Sequence, residues 1–300
     1  MERKIKWKKW CKKRILIVLV ICIAAVLFPI VKNFCREKEN QRRQEVIAER
    51  GPVSIVVFGD SIWDLVRDDT GIEARLADKL SATVYNLAIN GTNAAFRSEG
   101  EDLDKWNGET LFRLVQEVTG TGEAVIPVQE EAHELIHQID YNEVDYFIIA
   151  YGLNDYFEAV PTEGEDPFDT YTYGGALRSA VVLLKETYPN AEIVLISQTY
   201  CQGYSYGKID SDSNTKDYGG GFAPAYVETA ERVAEEYDLI FINNYKKMGI
   251  HRYNGPKYLI DATHLTEYGR DKYAGIVADY LIEDYIRVNK EKGAVAKVDE

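Results

Sequence analysis

Five short apolar runs, each separated from the next by amphipathic segments, constrain the fold of this chain more than any other feature. The runs are Val53–Phe58, Thr83–Leu87, Tyr146–Ala150, Glu192–Ser197 and Leu239–Asn243. They are rich in β-branched and aromatic residues, and most are continuous rather than alternating, the pattern of strands buried on both faces. Helical periodicity fills the intervals, at roughly Trp63–Leu80, Thr110–Val118, Gln129–Gln138, Tyr173–Tyr188, Phe222–Tyr237 and Thr266–Val288. Strands alternating with helices through right-handed crossovers give a parallel α/β sheet covered on both sides. In such a sheet the ligand crevice opens at the carboxyl ends of the strands, so chemistry is to be sought in the residues that follow each run.

The first run passes directly into Gly59-Asp60-Ser61, ahead of an amphipathic segment that starts near Trp63. Ser61 is thereby placed at a strand-to-helix turn, its hydroxyl at the sheet edge beside the partially positive start of a helix. Taken alone, Asp60 or Ser61 would serve equally well as a helix cap. The second run ends in Asn86-Leu87-Ala88-Ile89-Asn90-Gly91-Thr92-Asn93. Gly91 suits a turn with positive φ, and a residue without Cβ also lets a backbone N–H come close to a reacting oxygen. The third run delivers Gly152-Leu153-Asn154-Asp155, where Asn154 is either a turn former or an amide donor aimed at the crevice. Near the C-terminus, Asp261-Ala262-Thr263-His264 precedes the last helical segment. Asp261 is close enough along the chain to accept the Nδ1 hydrogen bond that fixes a histidine tautomer. On its own, the same tetrapeptide reads as a surface loop capping a helix.

Gly59-Asp60-Ser61, Asn86 through Gly91, Gly152-Leu153-Asn154-Asp155 and Asp261-Ala262-Thr263-His264, in this order, resemble the SGNH, or GDSL-like, hydrolase superfamily over about residues 53–285. The resemblance implies a flavodoxin-like three-layer α/β/α domain with a five-stranded parallel sheet. It also implies hydrolysis of acyl esters with neither metal nor cofactor. In that frame Ser61 is the nucleophile, His264 the general base and Asp261 the carboxylate that orients the base. The backbone N–H groups of Ser61 and Gly91, with the Asn154 side chain, form the oxyanion hole. The division of labour is physically coherent, because a serine hydroxyl attacks at neutral pH only when a neighbouring imidazole takes its proton. No position departs from the pattern, so an active enzyme is expected.

A second motif competes. His133-Glu134-Leu135-Ile136-His137 fits the zinc-peptidase pattern of two histidines four apart with an intervening glutamate, and Glu158 is the conceivable third ligand. The same pentapeptide is also what an amphipathic helix with apolar Leu135 and Ile136 looks like. Glu158 moreover follows the third strand in a loop, where a zinc site would need its third ligand on an adjacent helix. No metal site is therefore expected, and His251, without a nameable partner, is expected to be a loop residue.

Charge is unevenly spread along the chain. Residues 1–43 hold thirteen Lys/Arg against Glu2, Glu37 and Glu39, a balance of +10 in a chain whose total is −14, which leaves about −24 for the remainder. A domain this acidic repels phosphate backbones, which argues against a nucleic-acid ligand. Residues 15–31 are uncharged, ILIVLVICIAAVLFPIV. As a helix they cover about 25 Å, close to the lower limit for a bilayer. The basic cluster from Arg3 to Arg14 keeps the N-terminus cytoplasmic by the positive-inside tendency. The length of the run, and the lack of a small-x-small site before Pro29, favour a retained anchor over a cleaved signal. The expected organisation is a basic cytoplasmic tail (1–14), a transmembrane anchor (15–31), a linker or stalk (32–50) and an extracellular hydrolase domain (51–300). Cys201 is the single cysteine of that domain, so no intramolecular disulfide can brace it.

Long insertions, Tyr156–Thr172 and Gln198–Gly221, follow the third and fourth runs and overhang the expected crevice. Tyr156, Phe157, Tyr171, Tyr173, Tyr200, Tyr204, Tyr206 and Tyr218 lie in or beside them. Such rings pack on sugar faces, which suits an acetylated glycan of the cell surface; they also serve simply to pin loops. The preferred substrate is a short acyl ester, an O-acetyl group on carbohydrate above all. Transfer of the acyl group to a sugar hydroxyl is the alternative, and lipid esters fit less well because the loops are polar. A glycan-binding domain without catalysis is the reading from outside enzymology.

Overall fold

The computed structural model describes residues 27–28, 30–98, 103–122 and 134–295. The chain divides into two units, Met1–Gly51 and Pro52–Glu300. In the first, residues 30–50 are helical. The expected membrane anchor lies mostly outside the described residues, among which no helix is long and apolar enough to cross a membrane.

In the second unit, β1 (Val53–Gly59) leads to α1 (Ser61–Asp64), α2 (Ile72–Leu80) and β2 (Ala82–Asn86). Then come α3 (Leu103–Gly108), α4 (Leu111–Val118), β3 (Tyr146–Ala150), α5 (Leu153–Phe157), α6 (Tyr173–Thr187) and β4 (Glu192–Ile196). A hairpin of β5 (Gln202–Ser205) and β6 (Lys208–Asp212) follows. Then α7 (Ala223–Glu236), β7 (Ile240–Ile242), α8 (Asn244–Lys247), α9 (Gly255–Tyr258) and α10 (Glu267–Val295) complete the fold. The main sheet is parallel throughout with order β2-β1-β3-β4-β7, the flavodoxin-like doubly wound arrangement. On it, α2 packs with α10, while α4 packs with α6 and α6 with α7, so the sheet is the middle of three layers.

Burial follows the runs read from the sequence. Every residue of the central strand β3 is buried, whereas the edge strand β2 alternates. Ile55, Val56, Val57 and Phe58 have no solvent exposure at all. Each such side chain stabilises the domain by roughly 1.5–3 kcal/mol relative to leaving it in water. The expected helix Trp63–Leu80 is instead two helices. Asp68 accepts hydrogen bonds from the N–H and hydroxyl of Thr70, and at Gly71 an added Cβ would sit 2.3 Å from the Val66 carbonyl oxygen. The chain therefore doubles back between α1 and α2. The expected Gln129–Gln138 helix lies in part outside the described residues, and residues 134–136 are helical.

Register sets the position of the site. Gly59 of β1 lies beside Ala150 of β3, and Val57 beside Asn86 of β2. The ladder continues past β2 through Leu87 N–H to Val57 O (2.8 Å) and Ile89 N–H to Gly59 O (3.0 Å). The three segments that follow these strands leave the sheet at one edge.

Candidate active site

Ser61 opens α1 immediately after β1. Asp60 caps the turn, its carboxylate accepting from the Ile62 N–H at 3.0 Å. Gly59 is needed because a Cβ there would press on the Trp63 ring at 3.2 Å and on Ala88 at 3.4 Å. Trp63 anchors the short helix to the domain: fully buried, it donates from Nε1 to the Tyr273 hydroxyl at 3.2 Å and meets that ring edge-on. A four-residue helix has little cooperative strength of its own, so cap and anchor hold Ser61 in place.

The histidine arrives on a loop closed at its base. Leu259 and Leu265 form an isolated antiparallel bridge, Ile260 N–H donates to His264 O at 2.9 Å, and Thr266 N–H to Tyr258 O at 2.7 Å. Inside the loop one carboxylate oxygen of Asp261 accepts from the N–H groups of Thr263 (2.6 Å) and His264 (2.7 Å). The other lies 2.7 Å from His264 Nδ1. Partial burial works against ionisation of Asp261, but the His264 side chain and these two N–H groups outweigh it and hold the carboxyl below its ordinary value. A carboxylate can only accept, so Nδ1 carries the proton and Nε2 is left as an acceptor. His264 Nε2 lies 3.0 Å from Ser61 Oγ, across 203 positions of sequence. Serine, imidazole and carboxylate form an unbroken relay.

Three groups are candidate donors to a developing oxyanion. The Ser61 and Gly91 N–H groups have no protein acceptor among the described residues. Gly91 has φ +79, a conformation that favours glycine. Its neighbour is fixed first: Asp64 accepts the Asn90 N–H at 2.7 Å and pairs with Arg67, which in turn donates to the Asn86 and Ala88 carbonyls. Asn154, in α5, donates from Nδ2 to Thr92 O at 2.8 Å. An amide NH2 has two hydrogens, so one remains for a ligand. Asn154 thus reaches across to the residue after Gly91.

Two buried carboxyl groups lie beneath this surface. Burial pushes Asp60 up to about 7; the Ile62 N–H opposes that shift, Asp155 adds to it by repulsion, and His264 opposes it. Burial likewise pushes Asp155 up to about 6, against the Ala94 and Ala95 N–H groups, each donating at 3.0 Å. Asp155 therefore staples α5 to the segment after Gly91. Nothing in the sequence around Asp155 marks this task, because its partners lie about sixty positions away.

Of the competing motif, His133 lies outside the described residues. Glu134 and His137 are exposed while Ile136 and Ile139 are buried, as on an amphipathic surface element. Glu158 is not placed as a metal ligand: it pairs with Arg97 and accepts from Asn93 Nδ2 at 2.7 Å. His251 accepts the Tyr253 N–H, a loop role. The tyrosines divide into two groups. Tyr156, Tyr173 and Tyr200 are buried and pin loops, with Tyr156 donating to Lys216 O and Tyr200 to Asp212. Tyr171, Tyr204, Tyr206 and Tyr218 are exposed. Tyr204 and Tyr206 belong to the hairpin, which Gln202 N–H ties to the histidine loop through Ala262 O at 2.8 Å.

A doubly wound parallel sheet with a hydrogen-bonded serine, histidine and aspartate at its carboxyl edge defines an α/β serine hydrolase. The chain belongs to the GDSL-like lipase/acylhydrolase family, whose pattern matches residues 57–272, and it is an ester hydrolase of that family. Among solved structures it resembles a protein from Lactobacillus plantarum, at 18% identity and TM-score 0.56 over 76% of this chain and 96% of that one. It also resembles a possible lipase from Chitinophaga pinensis, at 15% identity and TM-score 0.53 over 76% of this chain and 96% of that one. At these identities the likeness is one of fold. No curated protein matches the chain.

Proposed function

We propose that this protein is a serine esterase that removes short acyl groups, O-acetyl groups of a cell-surface glycan foremost. The reading is carried by the relay from Ser61 Oγ through His264 to Asp261. Ser61 Oγ attacks the ester carbonyl carbon while its proton passes to His264 Nε2, and the carbonyl oxygen becomes an oxyanion facing the Ser61 and Gly91 N–H groups and the second Asn154 hydrogen. Collapse expels the alcohol, which takes the proton from His264 and leaves an acyl-serine. Water, deprotonated by the same imidazole, then releases the carboxylic acid. Asp261 keeps the imidazole in the required tautomer and stabilises it once charged.

The glycan reading is supported by exposed Tyr204 and Tyr206 on the hairpin joined to the histidine loop, since open aromatic faces suit sugar rings. Delivery of the acyl group to a sugar hydroxyl instead of water uses the same acyl-serine and is the second outcome to be measured. Anchoring in a membrane, with the hydrolase domain outside, is part of the proposal. It rests on the uncharged run 15–31 and the basic residues before it, and it is in keeping with exposed Leu27, Phe28, Ile30, Val31 and Phe34 in the N-terminal helix.

The deciding experiment is hydrolysis of p-nitrophenyl acetate, butyrate and longer esters by the full-length protein, with Ser61→Ala in parallel. Turnover that is greatest for acetate and falls to background in the variant is expected. Equal rates in the two proteins would sink the esterase reading. Release of acetate from an acetylated polysaccharide, measured with and without an added acceptor sugar, separates hydrolysis from transfer.

A further inference from the structure

Outside the relay, a polar cluster joins the Gly91 segment to α5, the two elements that supply candidate oxyanion donors besides Ser61. Its centre is Arg97. The Nη2 of this guanidinium donates to the Gly91 carbonyl at 3.3 Å and also pairs with a Glu158 carboxylate oxygen. The other Glu158 oxygen accepts from Asn93 Nδ2 at 2.7 Å. Glu158 closes α5, its N–H donating to Asn154 O at 2.9 Å. A single nitrogen therefore bridges the peptide of one donor residue to the helix that carries another.

Arg97 is itself held rigidly. Asn107 brackets its backbone, accepting from the Arg97 N–H at 2.7 Å and donating to the Arg97 carbonyl at 3.0 Å. The guanidinium stacks on Trp106 at 4.4 Å from the ring centroid. That ring is also the nearest neighbour of the space beside Gly91, 3.6 Å from where a Cβ would stand. Trp106 thus fixes the plane of the guanidinium and walls the Gly91 turn from outside.

We infer that Arg97 is a positioning residue for the oxyanion hole, setting the separation of the Gly91 N–H and the Asn154 amide through Glu158 and Trp106. The inference rests on the esterase reading. The pair is partly buried, with side chains 20% and 33% exposed, so a contribution to stability is separated from its effect on geometry by measuring both. Preorganised donors act in proportion to their fit to the transition state and little on the ground state. The turnover number should therefore respond while KM does not.

The test measures kcat and KM for p-nitrophenyl acetate, together with thermal unfolding, for the full-length protein and Arg97→Gln, Glu158→Gln, the double variant and Arg97→Lys. Each single Gln variant is expected to lower kcat by about tenfold to a hundredfold with KM within about threefold, and to melt near the parent temperature. The double variant should be no slower than either single one, because both break the same link. Arg97→Lys keeps the charge but not the planar stack, and should recover part of kcat. Unchanged kcat in the Gln variants overturns the inference, as does a raised KM at constant kcat, which would make Arg97 a substrate contact. Loss of the folded transition in all the Arg97 variants, Lys included, would assign it a purely structural role. If the parent protein shows no Ser61-dependent turnover, the esterase reading itself fails and the inference falls with it.

Discussion

At the scale of single residues, each member of the site has a separable effect. Asp261→Asn should leave the loop largely intact but let the imidazole adopt the wrong tautomer, lowering kcat by about ten-thousandfold in steady-state assays. Asn154→Ala removes one donor and should lower kcat by about a hundredfold to a thousandfold with KM little changed. Asp60 makes a prediction about pH. Its carboxyl titrates near 7 when folded and near 3.8 when not, so between those values the unfolded chain has lost a proton that the native one keeps. The Asp60 contribution to stability is therefore lost as pH rises from about 4 to about 7. Asp60→Asn keeps the cap and should flatten that part of a melting-temperature profile; an unaltered slope would assign it to other groups. Ser61, Gly91, Asn154, Asp261 and His264 were legible in the sequence because each follows a strand or shares a short loop with its partner. The tasks of Arg97, Asp155 and Glu158 were not, since the pairings of Asp155 with Ala94 and Ala95, of Glu158 with Asn93 and of Arg97 with Glu158 each span about sixty positions, and nothing local marks such a pairing.

At the scale of elements, the strands of the main sheet were legible to within a residue or so at either end because they are short, β-branched and aromatic runs, largely buried in the centre of the sheet. The break between α1 and α2 was not, for Trp63–Leu80 keeps helical periodicity while Asp68, Thr70 and Gly71 turn the chain back. Gly71→Ala should lower the urea midpoint without touching the acyl-transfer chemistry, because its Cβ would collide with backbone. The hairpin was hidden for a different reason. Its strands are mostly polar, and its two-residue turn is Tyr206-Gly207, both at positive φ, where Asn-Gly or Asp-Gly would have announced it. Replacing Tyr204 and Tyr206 together by alanine should leave hydrolysis of p-nitrophenyl acetate unchanged and lower kcat/KM on an acetylated polysaccharide. Equal rates on both substrates would separate the hairpin from substrate recognition.

At the scale of the molecule, a buried guanidinium helps secure the long insertion after β3 to the helical layer, beside Arg232, which also pairs with Glu163, and Tyr226, which donates to Val160 O. Arg178 pairs with Glu163 at 2.8 Å and with Glu236 at 2.6 Å, joining that insertion, α6 and α7. Arg178→Met should destabilise the fold toward the lower end of about 3–5 kcal/mol, measured by denaturant unfolding, because both glutamates retain access to water. The layered architecture could be read from the alternation of runs and helices alone; which insertion packs on which helix could not, because that depends on charges that meet only after the layers form. The relay itself has a consequence for synthesis. Its hydroxyl is made early and its imidazole more than two hundred residues later, with four of the five strands of the main sheet between them. A chain stopped before His264 holds a serine without a base, so premature products are inert rather than indiscriminate, and catalytic competence reports that the last helix has docked.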